Sequence, residues 1–160
     1  MPWPRLQDYN EAVQNPRLAF SDPDLRDGQP ELTALGLPRA VSGGFASVYK
    51  IRSGGAVWAA RCFSGEVADH QERYAAISTH LQGAKLSYAV PFTYLPYGIK
   101  VGSERYPLVK MEWVQGLSLN AFIGQSLGYR DTLISLAAAW AQMVVQLRRE
   151  GIAHGDLQQS

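Results

Sequence analysis

The chain has 160 residues, enough for one ordinary domain with a real core, and its 46% apolar and 18% charged composition excludes intrinsic disorder. A formal net charge of +1 offers no electrostatic footprint for nucleic acid or an anionic membrane, and a lone Cys62 excludes an internal disulfide or a multi-cysteine zinc site. The first five residues lack the apolar stretch of a signal peptide and no window has the apolar length to span a bilayer, so the expected setting is the cytoplasm.

Five of the nine prolines fall in the first 30 residues, so residues 1–34 read as a loosely packed extension rather than as core. Within it, Asp8, Asn10 and Glu11 oppose Tyr9, Ala12 and Val13, which predicts a helix over residues 6–14, stopped by Asn15-Pro16. Strands are expected at residues 35–41 and 47–52, on either side of Ser42-Gly43-Gly44-Phe45-Ala46. Ser53-Gly54-Gly55 turns the chain into a third strand, residues 57–63. Asp69 then caps a helix to residue 81, carrying Tyr74, Ile77 and Leu81 at spacings of three and four, and ended by Gln82-Gly83. Residues 89–101 and 104–113 form a hairpin about Gly102-Ser103, with Pro91, Pro96 and Pro107 disturbing its ends.

Beyond Gly116 the pattern turns helical. A short helix is expected over residues 117–123. A long one follows over 131–150, with Leu133, Leu136, Ala137, Trp140, Val144 and Leu147 on one stripe; Arg148, Arg149 and Gly151 favour its C-terminus. The chain then reads His154-Gly155-Asp156-Leu157.

Three stretches carry candidate chemistry. Gly43 and Gly44 lack a Cβ, so backbone N–H groups at the turn can approach a phosphate closely. Arg61 ends the run Trp58-Ala59-Ala60 and places a cation on an apolar strand. Met111-Glu112-Trp113-Val114 leads from a buried strand toward a helix, a segment that also suits any α+β domain.

This order of strand, glycine turn, two strands, helix, hairpin, linker, long helix and His-x-Asp-Leu resembles the N-terminal lobe and early C-terminal lobe of a protein kinase. The resemblance implies an α+β fold: a five-stranded antiparallel sheet with one helix over residues 35–113, then a hinge and the first large-lobe helices over 114–160. Against G-x-G-x-x-G-x-V, Gly43 matches the second glycine, Phe45 the aromatic tip and Val48 the valine, while Val41 and Ala46 replace the outer glycines and stiffen the loop. The third strand is similar to V-A-I-K, with Arg61 in the lysine's place, a cation but longer and forked. The candidate carboxylate partner is Glu72, although the family position falls one turn later, at Ala76, which has no carboxylate. The segment Val109 to Gly116 resembles the kinase hinge; the backbone around Glu112 and Val114, with Trp113 between, would bond an adenine edge. Met111 would gate the pocket behind, with Val48 and Ala59 over the base.

His154-Gly155-Asp156-Leu157 resembles H-R-D-L, which implies Asp156 as acceptor of the attacking hydroxyl's proton. Its glycine also resembles aminoglycoside phosphotransferases. Family spacing puts the metal-binding asparagine just past Ser160 and D-F-G further on. ATP and Mg²⁺ are therefore the implied cofactors, with catalysis negligible in this polypeptide alone. A protein Ser/Thr hydroxyl is the implied substrate, and a regulatory module contacting a protein partner is the alternative. Without large-lobe partners, the long helix must pack on the small lobe, pair with another copy or stay exposed. One rival motif is Gly124-Gln125-Ser126-Leu127-Gly128, with Asp131 and His154 following in hydrolase order. That chemistry needs a strand entering a sharp turn, and the residues before Gly124 read as helical.

Overall fold

Alternation along residues 46–53 and 56–63 sorts side chains onto two faces of a sheet, and the face of Tyr49, Ile51, Ala60 and Cys62 is buried in the core. The computed structural model describes residues 3–65 and 69–153. Its elements are α1 (Leu6–Val13), α2 (Pro16–Ala19), α3 (Pro23–Arg26), β1 (Gln29–Pro30), β2 (Ala40–Ser42), β3 (Ala46–Ser53), β4 (Ala56–Phe63), α4 (His70–Ala84), β5 (Phe92–Val101), β6 (Glu104–Glu112), α5 (Leu119–Ser126) and α6 (Arg130–Arg149). The protein is α+β, with an open antiparallel sheet of six strands in the order β1-β3-β4-β6-β5, and β2 beside β1 on the same edge of β3. The sequence suggests five strands; β1 is the addition.

The chain divides into two compact units, one ending at Trp113 and the other beginning at Val114. In the first unit the N-terminal segment is core, not a loose extension. Tyr9, Val13, Ala19, Phe20 and Leu25 are buried against Tyr49, Ile51, Ala60, Cys62, Ile99 and Leu108. Helices as short as α2 and α3 present no readable periodicity, so proline density outweighed their apolar residues in the sequence pattern. Pro16 and Pro23 start these helices at N1, where a missing N–H costs nothing.

A buried lysine fixes this layer. Lys110, on the core face of β6, donates to Asp22 Oδ1 and Oδ2 at 2.8 and 3.0 Å and to Asp24, with its ammonium 4.4 Å from the Trp58 ring. Asp22 also caps α3 by accepting from Leu25 N–H. Further anchors are Tyr49 Oη to Asn10 at 2.7 Å and the edge-on contact of Trp3 with Tyr106.

Several boundaries shift for local reasons. The strand expected at 35–41 starts only at Ala40, because Gly36 at φ +76° and Pro38 make a small turn closed by Thr33 N–H to Leu37. Helix α4 passes through Gly83 and ends at Lys85, which adopts the left-handed conformation itself. In the β5–β6 hairpin, a register shift between Leu95 and Ile99 accommodates Pro96, with Pro107 opposite. Gly98 lies in that bulge, where a Cβ would come within 2.6 Å of Leu108. Its carbonyl accepts from Ser21 N–H, so the N-terminal segment docks at the bulge.

In the second unit, Ser118 caps α5 by accepting from Ala121 N–H. Helix α6 closes with Gly151 at φ +66°, its N–H on Arg148 and the Ile152 N–H on Leu147, a Schellman motif. Along the stripe, Leu147 is buried, Leu133, Leu136 and Val144 are half-buried, and Ala137 and Trp140 are exposed. Among the described residues, no helix is long and apolar enough to cross a membrane.

Two outcomes are expected. Lys110→Met should cost about 3 kcal/mol in urea unfolding, because the half-buried Asp22 is left without its cation. Burial alone lowers the Lys110 pKa, but the hydrogen bonds and charges of Asp22 and Asp24 outweigh it and raise the pKa overall. The lysine's part of that stabilisation is complete below the ordinary lysine pKa and is lost as pH rises through the folded value, so the wild-type advantage over Lys110→Met should shrink in strongly alkaline buffer. Separately, Gly151→Ala should destabilise the second unit by about 1 kcal/mol, read by thermal unfolding.

Candidate functional site

Register decides which side chains meet. Residues paired across strands share a face, and the pairs run Lys50–Ala59–Met111–Phe92 in one row and Val41–Val48–Arg61–Val109–Tyr94 in the next. A third row pairs Ala46 with Phe63. The structure therefore brings Val41, Val48, Ala59, Arg61 and Met111 onto one face, opposite the N-terminal helices. Ala59 is buried, Val48, Arg61 and Met111 are half-buried, and Val41 is exposed. Three adjacent strands span about 10 Å, wide enough for an aromatic base on Val48, Ala59 and Met111. Phe92, the β5 partner of Met111, lines a groove of about 210 Å³ with Leu81, Leu86 and Val90.

The glycine turn caps this face at one end. Gly43 N–H donates to Ala46 at 3.0 Å and Ser64 N–H to Phe45 at 2.9 Å, which closes the hairpin and ties it to the end of β4. The Phe45 side chain is 84% exposed. Neither Gly43 nor Gly44 has a positive φ, and a Cβ on either would meet nothing within 4 Å. The turn's own geometry thus places no demand for glycine there.

At the far end of β6, Trp113 N–H bonds the Val57 carbonyl at 2.9 Å. Backbone groups alternate in direction along a strand, so those of Glu112 point away from β4, to the side where β5 begins only at Phe92. Glu112 and Val114 are exposed and Trp113 is half-buried. The Trp113 ring lies 5.1 Å from the Lys50 ammonium, which also pairs with Glu31 at 3.2 Å. The Lys50 hydrogen bond comes first among the influences that lower the Glu31 pKa, with Arg39 and Arg52 nearby adding to it.

Among the described residues, no ion pair joins Arg61 to Glu72. Glu72 is exposed in the first turn of α4, about 200° around the helix from Tyr74, the residue that packs on the sheet. Among the described residues, Arg61 makes no ion pair; its guanidinium lies over the Phe63 ring at 5.8 Å. Phe63 in turn touches Tyr74, which stacks on Tyr94 at 5.3 Å and meets Phe92 edge-on. Aromatic contacts hold α4 to this face. Sequence reasoning missed Lys50, Phe63 and Tyr94; their even spacing from Val48, Arg61 and Phe92 was the signal available.

His154 and Asp156 lie outside the described residues. Ser126 of the rival hydrolase motif is buried at the end of α5, not in a strand-to-helix turn. Cys62 is fully buried and its thiol pKa is pushed up by that burial, which suits core packing rather than nucleophilic chemistry. Among the described residues, no group of three or more His, Cys, Asp or Glu side chains could hold a metal ion.

No family model matches the chain, and comparison with curated proteins and with solved structures likewise finds no match.

The open space at Gly43 gives a clean probe. Gly43→Val should leave the free energy of unfolding within about 0.5 kcal/mol of wild type, because no neighbour lies within 4 Å of the new Cβ. A larger loss would mean that the turn itself requires glycine.

Proposed function

We propose that the chain is the adenine-nucleotide-binding portion of a protein kinase-like phosphotransferase, whose complete form transfers phosphate to a protein Ser/Thr hydroxyl. One observation carries this reading: Val48, Ala59, Met111 and Arg61 share a sheet face bounded by the glycine turn and by the Glu112 backbone. Adenine would lie on the apolar trio, its edge toward the Glu112 backbone. The phosphates would extend along β4 toward Arg61, whose guanidinium supplies positive charge, and toward the turn at Gly43 and Gly44, where the Gly43 N–H is already given to Ala46 and the lack of a Cβ leaves room for close approach. Asp156, preceded by His154, takes the role of hydroxyl-proton acceptor in this reading. Mg²⁺ joins the nucleotide in this reading only where the C-lobe asparagine and D-F-G aspartate are present to hold it.

A second reading, a pseudokinase-like module that acts by contacting a protein partner, is favoured by one feature. Arg61 rests on a ring and not on a carboxylate, so its orientation is not set by the ion pair the family uses. In either reading the exposed Trp140 face of α6 is where self-association would occur.

Mg-ATP should raise the melting temperature. At a hundredfold excess over Kd, linkage contributes about 2.7 kcal/mol, a shift of several degrees. Arg61→Ala should weaken ATP about tenfold while leaving adenosine affinity unchanged, the mark of a contact made to phosphate alone. No shift at millimolar Mg-ATP would leave the partner-binding module as the surviving reading.

A further inference from the structure

The peptide unit between Phe63 and Ser64 joins three parts of the first unit. Its carbonyl accepts two hydrogen bonds from the N-terminal segment, Trp3 Nε1 at 2.6 Å and Tyr9 Oη at 2.8 Å. These use both lone pairs of one oxygen. Its N–H, on the opposite side, donates to the Phe45 carbonyl at the glycine turn, 2.9 Å away. The Phe63 ring then lies beneath the Arg61 guanidinium and against Tyr74 of α4. Peptide planarity makes the carbonyl and the N–H move together. A shift of the N-terminal segment is therefore transmitted to the turn in one step.

We propose that Phe63 is a positioning residue for the phosphate end of the site. Its peptide unit ties Trp3 and Tyr9 to the glycine turn, and its ring orients Arg61 in place of a carboxylate. The inference rests on the nucleotide-binding reading and adds a role for the N-terminal segment. Arg61 and Phe63 are two apart on one strand face, so the ring limits the guanidinium to positions above it. A helix carboxylate would fix the same charge but neutralise it. An aromatic ring orients the cation and leaves its full charge for phosphate. Tyr9 is itself held in place; it is almost completely buried, and that burial raises its pKa above the usual tyrosine range.

The test compares ATP with adenosine, each titrated against the full chain by calorimetry. Phe63→Leu should lower ATP affinity about fivefold, the cation–π contribution, with adenosine affinity unchanged. Phe63→Tyr keeps the ring and should restore ATP affinity to within about twofold. Tyr9→Phe removes only one of the carbonyl's partners and keeps the packing, while Trp3→Phe removes the other and also shortens the ring that meets Tyr106. Both should weaken ATP more than adenosine, which a purely structural role would not do. Melting temperatures of all four variants identify any that is only unfolded, and Phe63→Tyr and Tyr9→Phe keep the comparison decisive if Phe63→Leu is. If wild type binds ATP and Arg61→Ala loses it while Phe63→Leu and Tyr9→Phe match wild type, the positioning role is overturned and the nucleotide site stands. If wild type binds neither ligand, the nucleotide reading falls and this role with it.

Discussion

A lysine ammonium on the buried face of an interior strand must be matched by nearby anions, and among the described residues the N-terminal segment supplies them. Lys110 is 9% exposed, and Asp22 and Asp24 reach it from the turn that starts α3. Isolated, that charge would cost several kcal/mol. Placing the two carboxylates correctly also fixes α3, and with it Leu25, Phe20 and the docking of Ser21 on the β5 bulge. The back layer of the sheet follows from this one electrostatic requirement, with apolar burial of Tyr9 and Val13 completing it.

The same layer divides the labour between the two faces of the sheet. One face is filled from behind by α1, α2 and α3; the other carries Arg61, Met111 and Val48 and takes α4 at one side through Tyr74. The candidate site thus sits on a sheet that is rigid because its reverse is packed. Site residues on strands with locked neighbours hold their geometry better than residues on loops.

Much of this was legible beforehand, for identifiable reasons. β3, β4 and α1 were readable because alternation and helical spacing are properties of the local chain. Arg61, Val48 and Met111 were readable as strand positions, but their meeting on one face depends on register, which only pairing determines. The N-terminal segment was misread because α2 and α3 have four residues each, too few for a period, and because Asp22 resembles an ordinary turn residue until Lys110 is placed beside it. Glu72 is a candidate through the family resemblance alone, whereas the inward direction of α4 is set by Tyr74. The aromatic cluster was not anticipated at all, because its members come from β4, α4 and β5.

The split edge of β3 has a consequence for how copies of this protein meet. Ser47 to Tyr49 pair with β2 and Ile51 with Arg52 pair with β1, while Glu31 N–H takes the Lys50 carbonyl in between. Two short strands therefore cover nearly the whole border, and Pro30 within one of them has no N–H to offer a newcomer. Intermolecular strand addition, the usual first step toward β-aggregates, is blocked along this side by the chain's own N-terminal residues.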